Sequence, residues 1–197
     1  MAHDIKFLDA REAHYKTHFG PLANQVMHST DEKVPHVDIY QFSPTEERPY
    51  WTLITGGMSD LPQPGWNEEL DWAAPRAEII FYAKEPQGWM FDVIKGLAEM
   101  PFENDSYLHW HHTIPNGKSM TAKPSELSSF FIMPPYFEEE NFDTLELDGE
   151  QVDILWLIPI TESEREFAVI HGSQALEDLF AEKELNPVVD EMRKSLA

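Results

Sequence analysis

Three histidines stand together in the run His109-Trp110-His111-His112. On a strand, His109 and His111 project from the same face, two imidazoles within reach of one metal ion. Zinc needs at least one further protein ligand, and nothing in the sequence singles one out among 36 acidic residues. The plainer expectation is a polar edge strand with Trp110 turned to the core and no cofactor. A metal-dependent protein using His109 and His111 is the alternative.

Other chemistry is harder to find. The chain has no cysteine, which excludes disulfides, thiolate metal sites and thiol catalysis. It has no nucleophile elbow, no P-loop and no dinucleotide-binding glycine pattern. Gly56-Gly57 follows a strand-like run, but no third glycine and no helix start accompany it. A bulge or a strand-end turn is the expected role of the pair. Paired acids such as Glu68-Glu69 or Glu162 and Glu164 are commonplace in so acidic a chain. The expectation is therefore a protein that is not an enzyme.

Acids and aromatics interleave between Pro134 and Asp143. Tyr136 and Phe137, followed by Glu138, Glu139 and Glu140, have the make-up of an interface: aromatic anchors inside a charged rim. The same loop could instead tuck its aromatics under its own edge. The strand end Thr55, Gly56, Gly57, Met58 and Ser59 is a second candidate surface. A net charge of −22, from 36 acidic and 14 basic residues, excludes nucleic acid as a partner, because phosphate binding needs clustered cations. It suits a basic protein partner brought in by electrostatic steering. A regulatory adaptor that binds a peptide along a sheet edge is a further alternative.

The elements that must position these residues are legible as short patterns. Phe7 to Phe19 is helix-compatible and stops at Gly20-Pro21. From His36 to Phe42, Val37 and Ile39 alternate with Asp38, Tyr40 and Phe42, as in a strand. Strands are also expected over Tyr50 to Ser59 and Ala77 to Ala83. Met90, Val93, Ile94 and Leu97 share one helical stripe, with Pro101 marking that helix's end. Tyr107 to Ile114 reads as extended, Asn116-Gly117 as a tight turn, and Glu126 to Met133 as a strand stopped by Pro134-Pro135. The clearest hairpin joins two β-rich runs through Asp148-Gly149. Its second run is apolar almost throughout, so it belongs in the middle of a sheet covered on both faces. Thr161 and Glu164 have capping-box spacing. Gly172 ends the helix they start, Ser173 can cap the next, and Pro187 suits the first turn of a last short one. The fold class is α+β, with a central mixed, mainly antiparallel sheet flanked by helices in one domain over residues 1–197. No signal peptide is recognisable, and the longest apolar run, Ile154 to Ile160, is too short for a membrane span. The expected location is the cytoplasm.

Two blocks carry a family likeness. The first is Asp38, Ile39, Tyr40 and Phe42 followed by Trp51 to Ser59. The second holds Leu157 to Glu162, Glu164, Gly172, Leu176 and Phe180, and Thr113-Ile114-Pro115 to Gly117 lies between them. In order and spacing the chain resembles the Suppressor of fused-like domain family from about Val34 to Arg193. One departure lies at Gly57: the family more often carries a small apolar residue ahead of the second glycine. The resemblance implies an α/β domain that acts by binding proteins and has no known reaction. In animals it holds a transcription factor of the Hedgehog pathway, within a larger two-domain chain. Bacterial single-domain members are close to this chain in length, and the resemblance implies for them an antitoxin or immunity role against a toxin. It transfers no catalytic residues.

Overall fold

The computed structural model describes residues 5–23, 26–29, 35–121, 124–140 and 142–197. Val34, where the family likeness begins, and Asn141, in the acidic aromatic loop, lie outside them. The strands are β1 (Val26–Met27), β2 (Asp38–Phe42), β3 (Trp51–Gly56), β4 (Arg76–Ala83), β5 (Thr113–Pro115), β6 (Leu127–Met133), β7 (Thr144–Leu147) and β8 (Glu150–Thr161). The helices are α1 (Ile5–Phe19), α2 (Gly88–Glu103), α3 (Glu162–His171) and α4 (Ser173–Glu182). The sheet runs β1-β2-β3-β4-β8-β6-β5, with β7 also on β8. Only β4 and β8 pair in parallel, so the sheet is mixed and mainly antiparallel, as expected.

The β8 strand is the organising element. Ile154, Trp156, Ile158 and Ile160 enter one core with Tyr15, Tyr40, Ile54, Tyr82, Leu176 and Phe180. Leu155 and Leu157 enter the opposite core with Ile39, Leu53, Phe81, Met90 and Ile94. A strand covered on both faces reads as a near-continuous apolar run, which is the pattern from Ile154 to Ile160. Asp148 (φ 53) and Gly149 (φ 83) both take the left-handed conformation that a two-residue hairpin requires. Thr161 accepts from the Glu164 N–H and Glu164 accepts from the Thr161 N–H, a complete capping box that turns the chain directly from strand into helix.

Four expectations need correction. The α2 helix continues past Pro101, because proline in the last turn loses one hydrogen bond while Asn104 N–H still reaches the Met100 carbonyl. The extended run from Tyr107 shrinks to β5. Residues 109–112 form a turn with His111 at φ 68, held because His111 N–H and the His112 carbonyl both bond Ile132 of β6. Gly172 is itself the N-cap of α4, and Ser173 donates instead to the His111 carbonyl at 2.8 Å. No helix starts at Pro187. The β4–β8 pairing stops at Ile80, which leaves the Tyr82 carbonyl open, and Val189 N–H takes it.

Candidate protein-binding surface

The strand end after β3 is not a surface. Thr55, Gly56, Gly57, Met58 and Ser59 are all buried, and they close around the carboxylate of Glu78 on β4. Thr55 Oγ1 donates to it at 2.6 Å, Ser59 Oγ at 2.6 Å, Gly57 N–H at 3.0 Å and Ser59 N–H at 3.1 Å. The Arg11 guanidinium lies 3.4 Å away and also pairs with Asp60 at 2.7 Å. Burial alone would lower the Arg11 pKa, but Glu78, Tyr15 and Asp60 more than offset that and raise it. A buried carboxylate so supplied with donors is a structural keystone. The glycines serve it. Gly57 sits at φ 116, and a Cβ there would lie 2.0 Å from the His36 carbonyl. A Cβ on Gly56 would lie 2.3 Å from the Tyr40 ring. The short 3-10 turn Met58–Asp60 follows this pair, where no helix start was expected.

The loop after β6 divides into an inside and an outside. The Glu138 side chain is fully buried, so it is not part of a charged rim. Arg48 grips it twofold, at 2.6 and 2.8 Å, while Tyr82 donates at 2.5 Å and His18 of α1 lies at 2.9 Å. Burial raises the Glu138 pKa, and the bonds from His18, Arg48 and Tyr82 overcome it, bringing the group down to about 2. Around this pin the neighbours face outward. Tyr136 is 57% and Phe137 44% exposed. Phe137 stands edge-on to Trp156, and the Tyr136 hydroxyl donates to Glu177 of α4 at 2.6 Å. The Glu139 side chain is 87% exposed, and Glu140 is exposed as well. The loop presents Tyr136 and Phe137 outside, while Phe142 and the Glu138 carboxylate are tucked under its edge.

The histidine turn separates its members. His109 is buried with Nε2 3.0 Å from Asp153 of β8, whereas His111 points outward to Glu177 at 2.7 Å. The shared strand face that a metal site on His109 and His111 needs does not form. Among the described residues no group of three or more His, Cys, Asp or Glu side chains could hold a metal ion. Trp110 packs against the second core and donates to the Ile154 carbonyl.

The model of the family described as "Suppressor of fused protein (SUFU)" matches residues 33–194. The chain belongs to the Suppressor of fused family. Among curated relatives of this Suppressor of fused chain, Immunity protein YqcF of Bacillus subtilis (strain 168) is 25% identical over 178 residues, 90% of this chain and 91% of that one. Two solved structures share its fold. A SUFU homologue from Neisseria gonorrhoeae FA 1090 is 18% identical, with a TM-score of 0.77 over 98% of both chains. The Sufu–Fu complex is 14% identical, with a TM-score of 0.72 over 97% of this chain and 92% of that one.

Sequence reasoning missed Glu78, Arg48, His18 and Tyr82, the residues that shape both candidate regions. A usable signal existed only for Glu78, a lone acid inside an otherwise apolar strand. It also passed over Trp72, which is 56% exposed beside Glu68, Glu69 and Asp71.

Proposed function

We propose that this chain is a protein-binding module without a reaction of its own, an immunity protein that neutralises a basic toxin in the cytoplasm. The observation that carries the reading is the similarity to Immunity protein YqcF along nearly the whole of both chains. The geometry agrees with it. The buried carboxylates Glu78, Glu138 and Asp153 are each engaged in internal hydrogen bonds. What remains outside is acidic and aromatic, the composition that meets a basic surface. On this reading Tyr136 and Phe137 anchor the partner, with Glu139 and Glu140 as rim. No helix among the described residues is long and apolar enough to cross a membrane, and the −22 charge disfavours nucleic acid.

The test begins with affinity capture by the purified chain and identification of what it retains. The retained protein should be basic, form a stoichiometric complex on size exclusion, and associate more slowly as salt rises. Expressed alone in a bacterial host it should arrest growth, and co-expression of this chain should restore it. A captured partner that leaves growth untouched removes the immunity role but keeps protein binding. Turnover of a small molecule with no captured partner overturns the reading.

A further inference from the structure

Tyr136 and Phe137 stand side by side on the outer face of the loop after β6, but they are held by different means. Phe137 packs edge-on against Trp156, with centroids 4.7 Å apart, and against Tyr82 at 6.4 Å. Tyr136 is more than half exposed and has no aromatic neighbour among the described residues. Its backbone is fixed, because the buried Pro134-Pro135 pair precedes it and the Glu138 pin follows two residues later. Its ring is not fixed by packing. An exposed tyrosine turns about two side-chain torsions, and ordering it on binding costs affinity.

One bond holds the ring instead: the hydroxyl donates to Glu177 Oε1 at 2.6 Å. Burial and that bond push the hydroxyl pKa up, so the group stays a donor. Glu177 is itself firmly placed. Leu176 and Phe180 enter the core and set the rotation of α4, and the Glu177 side chain is left only 14% exposed. Its second oxygen accepts from His111 Nε2 at 2.7 Å, since a carboxylate can only accept. Ser173, one helical turn earlier, donates to the His111 carbonyl at 2.8 Å. The α4 helix thus clamps His111 by backbone and ring together, in a left-handed conformation (φ 68) that a side chain disfavours. Strain of this kind persists only where the surroundings impose it, and it collects at functional sites. The clamp fixes the Glu177 carboxylate, and the carboxylate fixes the tyrosine.

We propose that Glu177 is a positioning residue for protein recognition: it holds the Tyr136 ring in the orientation in which the partner meets it. The inference rests on the reading that Tyr136 and Phe137 anchor a basic protein. It adds that one of the two anchors works at full strength only while its hydroxyl is tied to α4. Glu177 acts through Tyr136 rather than on the partner, since each of its oxygens already holds a donor.

The test reads the Tyr136 ring in the free chain by NMR and, in the same variants, the affinity for the captured protein partner. Side-chain scalar couplings should give one χ1 rotamer in the native chain and an average over several in Glu177→Ala. Glu177→Ala should weaken the complex about threefold to tenfold, the loss from one side chain that must be ordered on binding. Tyr136→Phe keeps the ring and loses the tether, so it should cost the same, and the double variant should cost no more than either alone. Glu177→Gln keeps an acceptor for the hydroxyl and removes the charge, so it should hold the rotamer and stay within about twofold. Losses that add in the double variant, or a Glu177→Gln as weak as Glu177→Ala, would mean that Glu177 meets the partner by its own charge and overturn the positioning role. A Tyr136 ring already averaged in the native chain would overturn it too. If the partner binds every variant as tightly as the native chain, the positioning role falls and the binding-module reading stands. If no partner is captured, that reading falls and takes the role with it.

Discussion

Glu78 and Glu138 are both buried carboxylates, yet they are enclosed in opposite ways. Glu78 is held mostly by its own sheet neighbourhood: two hydroxyls and two backbone N–H groups from Thr55 to Ser59. Glu138 is held by side chains from three separate places, His18 on α1, Arg48 before β3 and Tyr82 on β4. The first arrangement shapes a turn and faces inward everywhere. The second ties a loop to the body at one residue and leaves the residues on either side of it facing out. An internal carboxylate can therefore complete a core or serve as the pin of an exposed surface, and only its partners tell which.

The comparison breaks most visibly at Glu78. Glu78→Ala takes one carboxylate partner from the buried Arg11 and leaves several donors unpaired, so it should cost about 3–5 kcal/mol by chemical denaturation. A loss under about 1 kcal/mol would show that the turn holds without its carboxylate. Glu138→Gln should cost somewhat less, about 3 kcal/mol near neutral pH, the linkage value for a carboxyl moved from the usual 4.5 to about 2. Because the folded pKa is the lower one, the unfolded chain takes the proton first as pH falls. The contribution is complete above 4.5 and fades towards 2, so the native chain and Glu138→Gln should converge in stability over that window. Parallel pH curves would refute the pin.

What the sequence made legible was whatever rests on neighbours in the chain. The two-sided burial of β8, the Asp148-Gly149 hairpin and the Thr161–Glu164 box are each decided within a dozen residues. Contacts that span the chain were not legible. Glu78 and its turn lie about twenty residues apart, and Arg11 is farther still, so nothing near Thr55 shows that the Gly56-Gly57 pair encloses a carboxylate. The histidine turn failed as a strand because Ile132, from β6, bonds both His111 and His112. In Glu138-Glu139-Glu140 three identical residues carry no sign of which one turns inward. Arg48 decides that from ninety positions away.

The outer half of the loop should respond in binding rather than in folding. Joint Tyr136→Ala and Phe137→Ala should weaken the captured complex by about 2 kcal/mol or more, measured by surface plasmon resonance. The loss in stability should be smaller and come mostly from Phe137, which packs on Trp156. Complex affinity unchanged by both substitutions would move the interface away from this loop.

The finest test compares two adjacent glutamates. Glu139 lies 3.8 Å from His18 Nδ1, beyond hydrogen-bond reach, with 87% of its side chain in water. Solvent screens such a charge, so Glu139→Gln should change stability by less than about 0.5 kcal/mol, against the several expected for Glu138→Gln one position earlier. Its effect on a basic partner should also stay well below about 1 kcal/mol and fall mainly on the association rate, shrinking as salt rises. The two substitutions are chemically identical, so any difference between them measures placement alone. If Glu139→Gln instead slows dissociation strongly, that carboxylate is desolvated in the complex and belongs to the core of the interface rather than its rim.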